Sequence, residues 1–248
     1  MLWQFVRYGT FVGGLGVWIC LQGCLNAPTS SLSAKEALAL SASALSGSER
    51  YNVSGEVTLI NPSGMIASHL FYDGKISEHG KLNMQWRAEK EGQINGGFKE
   101  RSAKEQKMQM EEFEPLEILD LIKGNKASVR YAKQTANKDE FELIMMLNDE
   151  VSRAHIANEL RTQLNTIAED EQQLLRQSAS AQRLYAQAKQ ELEEKLARLQ
   201  VTTECRWVAS SRSWFPSQLS VETTMRYQWK NNMLQEKRVS QTHFLPSK

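Results

Sequence analysis

Past Gly124 the chain contains no glycine, and between Pro115 and Pro216 it contains no proline. Those two residue types are the strongest local breakers of regular structure, so a long central stretch is free to run as one element. Asn148-Asp149-Glu150 offers a side-chain cap and an acidic first turn. Helix-favouring residues follow to about Leu199, with Glu191/Lys195 and Glu194/Arg198 in the supportive i,i+4 orientation. The pattern predicts a helix over about 150–199. A 4-3 ladder runs from Leu160 through Leu174 and Leu192 to Leu199, but Glu171, Ser178 and Lys195 interrupt it, which makes a weak coiled-coil seam. At ~1.5 Å per residue, about 50 residues would extend about 75 Å, longer than a domain of this size. The helix must therefore project, or bend near Ser178 to Ala181 into a hairpin. We expect a long helix that caps a sheet with one part and projects with the other.

On either side of this stretch the hydrophobic period is 2 rather than 3.6. A helix over Lys35–Leu45, capped by Ser33 and stopped by Gly47, leads into the alternation of Val53, Gly55, Val57 and Leu59. Asn61-Pro62-Ser63-Gly64 is a strong turn, a second strand spans Met65–Tyr72, and Asp73-Gly74 reads as the next turn. Gly80–Glu89 alternates through Leu82, Met84, Trp86 and Ala88, and Asn95-Gly96-Gly97 turns again. Phe98–Phe113 reads as one or two strands with Met108 and Met110 on one face, and Pro115–Ile122 as a short helix. Strands at Ala127–Lys133 and Glu140–Leu147 precede the long helix. After it, Val201, Thr203, Cys205, Trp207 and Ala209 share one face of a strand. Leu219, Val221, Thr223, Met225 and Tyr227 do the same on the next, and Asn231-Asn232 joins that strand to Leu234–Phe244. Short links between neighbouring strands imply an antiparallel meander with one solvated face. The fold class is α+β, with about eight to ten strands covered by helices.

The first 23 residues have the layout of an export signal: Arg7 near the start, then the apolar run Phe11–Cys20. Leu21-Gln22-Gly23-Cys24 closes that run with a small residue and a cysteine, the lipobox of a bacterial lipoprotein. Cys24 is then the lipid attachment site and the first residue of the mature chain. The competing reading is an uncleaved transmembrane anchor over Phe5–Gly23, at the lower limit of spanning length. Both place the body outside the cytoplasmic membrane. Residues 24–34 are a small-residue tether, and 35–248 form one domain.

With Cys20 removed and Cys24 acylated, Cys205 is left alone and an intramolecular disulfide is excluded. A net charge of +1 with interspersed signs gives no footprint for nucleic acid. His155 and Glu159 stand i,i+4, a spacing that can hold a metal, but no second cluster joins them and His69, His79 and His243 fall singly on strands. No nucleophile and base share a recognisable context, so neither an enzyme, a cofactor nor a metal is expected. Eight methionines fall on predicted strands or their ends, Met65 and Met233 included. They serve either an adaptable core or a deformable apolar pocket.

A lipobox and tether, then a helix leading into SERYNVSGEVTL, then SHLFYDGKI and later WFPSQLSVETTMRYQW, resembles the LolA-like and LppX-like lipoprotein-carrier superfamily, whose architecture RseB-type sensors share at their N-terminus. Phe71-Tyr72-Asp73-Gly74 and Phe215-Pro216 are the turning points of that likeness. The resemblance implies a curved antiparallel half-barrel with helices plugging a concave, apolar face. It implies non-catalytic binding of a lipid or acylated protein there, with Leu82, Met84, Trp86, Met108 and Met110 bent toward the cavity. The alternative is a sensor or interaction module that docks an envelope protein through the long helix at 150–199.

Overall fold

The computed structural model describes residues 32–77, 81–88, 117–123, 127–133 and 139–246. Cys24, Met108, Met110, the Asn95-Gly96-Gly97 turn and the strands expected over 98–113 lie outside them.

Helix α1 (Ala34–Ser46) begins at a complete capping box. The Ser33 hydroxyl accepts the Glu36 N–H at 3.3 Å, and the Glu36 carboxylate accepts the Ser33 N–H at 2.8 Å. Two donors that the first turn would leave unpaired are thereby satisfied. Strands β1 (Tyr51–Ile60), β2 (Ile66–Ser77) and β3 (Lys81–Ala88) follow. Helix α2 (Glu117–Lys123) leads to β4 (Ala127–Tyr131) and β5 (Glu140–Leu147). Three helical pieces come next, α3 (Asp149–Asp170), α4 (Gln172–Gln177) and α5 (Ala179–Ala197). Strands β6 (Gln200–Ser210), β7 (Pro216–Trp229) and β8 (Asn232–Pro246) complete the order.

The eight described strands make one antiparallel sheet in the order β3-β2-β1-β8-β7-β6-β5-β4, which does not close into a barrel. Along most of the strands one face is the more buried, and the registers bring these faces together. Met145 lies opposite Cys205, which lies opposite Val221; Val53 lies opposite Phe244; Tyr72 lies opposite Trp86. The larger core gathers under α1 and α2, around Trp207, Leu143, Met145, Leu219 and Phe244. Trp207 is fully buried and its indole N–H donates to the Ser41 hydroxyl of α1 at 2.8 Å, pinning that helix to the sheet. A smaller cluster of Ile156, Ala157, Leu196, Leu199 and Val201 fastens the other helices to β6.

Asp73-Gly74 is not a turn. It lies inside β2, with Gly74 between Val53 of β1 and Met84 of β3. Ladder bonds on both sides of a central strand outweigh the local turn preference of a single dipeptide, and the chain reverses after Ser77 instead. The Phe215-Pro216 reversal does occur, with Trp214 holding the left-handed conformation (φ 62) just before it. Gly55 is needed where it stands, because a Cβ there would lie 2.1 Å from the Gln241 carbonyl and 2.5 Å from the Tyr72 ring. The absent side chain lets Tyr72 lie across β1 and meet the Thr242 hydroxyl at 2.5 Å. Burial pushes the Tyr72 phenol up to about 12, against the opposing effect of that hydrogen bond.

The expected long helix over 150–199 is instead a helical hairpin. α3 ends at Asp170, and Ser178 breaks the path in an extended conformation while its hydroxyl caps α5 by accepting the Ala181 N–H at 3.3 Å. Arg161 grips Glu193, 32 residues away, through two bonds of 2.7 Å, where one straight helix would hold them about 48 Å apart. Tyr185 donates to Asn165 at 3.4 Å. The apolar residues explain the fold-back. Ile156 and Leu160 lie near the start of the stretch, Leu192, Leu196 and Leu199 near its end, and only a hairpin buries both groups on one sheet. The tip keeps Ile167, Leu174 and Leu184 exposed.

The hairpin's two ends therefore differ in stability. Leu160→Gln, at the packed root, is expected to cost about 1–3 kcal/mol in urea unfolding through lost burial. Leu184→Gln, at a side chain 66% exposed, is expected to shift stability by less than about 0.5 kcal/mol. Equal losses at both sites would contradict this packing.

Candidate functional site

Between the hairpin root and the buried face of the sheet lies a cavity of about 380 Å³. β1 and β2 supply Val57, Leu59 and Leu70, β3 supplies Trp86, and β7 supplies Met225 and Tyr227. The roof is Ile156 and Leu160 of α3 with Leu192 and Leu196 of α5, and Leu199 just beyond. The space persists because the hairpin reaches the sheet mainly at β6 and stands off the strands beyond it.

Few polar groups face this apolar space. Arg238 of β8 donates to Glu159 of α3 at 2.5 Å, a pair with about a fifth to a quarter of each side chain exposed. The other oxygen of Glu159 is buried without a partner among the described residues. The Tyr227 hydroxyl donates to Glu236 at 2.5 Å, and burial, then that bond and the Glu236 charge, push its ionisation well above the usual phenol range. Gln163 of α3 and Lys195 also line the space, the Lys195 ammonium 4.0 Å from the centroid of the Trp229 ring. The arrangement offers apolar contact and fixed charge.

Of the residues expected to line a cavity, Trp86 lines this one, with its ring 5.1 Å from that of Tyr72. Met84 is half-buried on the same face, opposite Gly74, and Leu82 is in register with Ile76. His155 and Glu159 separate to different partners: His155 lies 3.6 Å from Glu117 of α2, and Glu159 holds Arg238. Among the described residues no group of three His, Cys, Asp or Glu side chains is placed to hold a metal. Cys205 is fully buried, and burial pushes its thiol up to about 12, so it stays protonated and unreactive near neutral pH.

The hairpin half of the lining was hidden in the sequence. Leu160, Leu192, Lys195 and Leu199 all stand on the 4-3 ladder, which reads as a seam toward another helix. The signal that could have found them is the pairing of two apolar groups across a polar middle.

No protein-family model and no curated protein matches the chain. Among solved structures, the acyl-CoA thioesterase II TesB2 from Mycobacterium marinum aligns with 80% of this chain and 81% of its own. Identity is 9% and the TM-score is 0.16, a likeness too slight to carry fold or function. Among the described residues no helix is long and apolar enough to cross a membrane.

Proposed function

We propose that this protein is a membrane-anchored, extracytoplasmic lipoprotein that binds an apolar or acylated ligand, without catalysis, in the cavity between hairpin and sheet. The sheet in this reading is a curved half-barrel and the hairpin its plug. The observation that carries it is an apolar space of about 380 Å³ between the hairpin root and the sheet. That volume lies in the range of small-molecule sites, roughly 300–1,000 Å³. Flexible Met225 and the rotatable leucines of the roof suit a chain of variable length. The test is native mass spectrometry with lipid extraction on protein purified from its own membrane, beside displacement of a fluorescent fatty acid. Co-purifying acyl species and saturable displacement are expected. Neither would appear if the space were only a packing gap.

A second reading rests on the exposed Ile167, Leu174 and Leu184 at the hairpin tip. An envelope protein docking there would make the chain an interaction module. Loss of a co-purifying protein in a Leu174→Ser, Leu184→Ser double variant, with acyl binding intact, would favour it.

The anchor has its own test. Cys24→Ala is expected to abolish metabolic labelling with an alkyne fatty acid and leave a full-length precursor. Equal labelling of variant and wild type would rule out lipidation at Cys24.

A further inference from the structure

The cavity's polar groups are not equivalent. Arg238 and Glu159 hold each other, and Glu236 is held by the Tyr227 hydroxyl. Lys195 makes no ion pair or hydrogen bond among the described residues. Its spacing from Glu191 predicts an i,i+4 pair, but Glu191 accepts from Gln187 at 2.9 Å. Glu194 likewise accepts from Gln190 at 2.9 Å, and Glu193 is taken by Arg161. What holds Lys195 is aromatic: its ammonium lies 4.0 Å from the Trp229 centroid and 6.0 Å from that of Tyr227. A ring face attracts a cation through its quadrupole but leaves the charge un-neutralised. Lys230 adds a second ammonium 6.0 Å from the same indole. Two ammonium groups therefore share the Trp229 indole at the Lys195 end of the apolar cavity, neither with a carboxylate partner among the described residues.

We propose that the cavity's occupant is a single-chain amphiphile with an anionic head, carboxylate or phosphate. Its tail lies along Val57, Leu70, Ile156 and Leu196, and its head rests on the Lys195 ammonium. This rests on the reading of the cavity as an acyl site and adds the head group that the site selects. The surroundings decide the polarity: a cationic head would meet the two ammonium groups at Trp229, and a neutral one would leave Lys195 without a counter-charge.

Displacement of a fluorescent fatty acid by dodecanoate and by dodecanol isolates the head from the tail. Wild-type protein at low ionic strength is expected to favour the carboxylate by about fivefold, with the preference shrinking as salt rises, as for a partly exposed ion pair. In Lys195→Gln the ratio falls to near one, and in Lys195→Arg it is retained. Dodecanoyl lysophosphatidate forms a third arm: tighter binding than dodecanoate assigns the head to a phosphate, weaker binding to a free carboxylate, and Lys195→Gln must weaken whichever is preferred. Urea midpoints show that the variants are folded. Equal wild-type affinity for dodecanoate and dodecanol, or an unchanged ratio in folded Lys195→Gln, would overturn the head-group assignment while the acyl cavity stood. Binding of no ligand at all would overturn the cavity reading itself.

Discussion

Trp207→Ala is expected to lower the unfolding free energy by about 3–5 kcal/mol, measured by urea titration. Three losses combine. The largest buried side chain of the sheet leaves a void next to Phe244, whose ring lies 5.7 Å away, and the surrounding strands cannot collapse into it because their registers are fixed. The Ser41 hydroxyl, itself fully buried, loses its donor, at about 1–3 kcal/mol for an unsatisfied group. Helix α1 loses the bond that sets its position on the sheet. Domains of this kind are stable by about 5–15 kcal/mol in total, so the variant should unfold in mild urea. A change below about 1 kcal/mol would mean that α1 is not docked on Trp207.

Met225→Trp is expected to reduce acyl-ligand affinity at least about tenfold while changing stability by less than about 1.5 kcal/mol. Met225 is half-buried on the cavity floor, so a larger ring can grow into existing space rather than displace a packed neighbour. Overpacking costs arise when a core has no room, and here the room is the ligand's. Trp86→Leu is the complementary variant. It widens the cavity, and as the indole is only half-buried, stability should fall much less than for Trp207→Ala. Displacement of a fluorescent fatty acid reads the binding and urea titration reads the fold. Undiminished affinity in a folded Met225→Trp protein would place the ligand elsewhere.

The elements that could be read from sequence are those whose environment is decided by their own period. Val201 to Ala209 alternates because β6 has one buried face, and Ser33 with Glu36 announces the start of α1 by chemistry confined to one turn. The failures occur where distant groups decide. Asp73-Gly74 carries a turn signature, but paired strands on both sides keep it extended. The helical stretch has no proline or glycine to mark its reversal. Ser178 bends it because Ile156 and Leu196 can then share the surface around Val201. Glu191 has the right spacing for Lys195 but a closer partner in Gln187. The cavity is the product of these distant choices. Its β3 wall was visible as a stripe through Trp86, and its roof was not.

The sheet order also fixes when the protein can take shape. β8, the last 15-residue strand, is the link between β3-β2-β1 on one side and β7-β6-β5-β4 on the other. Until it is in place the chain has two separate partial sheets, and Val53 and Ser54 wait for Phe244 and His243 from the far end of the sequence. Pairings that close so long a loop form slowly. A chain entering another compartment from its N-terminus would join its two half-sheets only when the final strand came through.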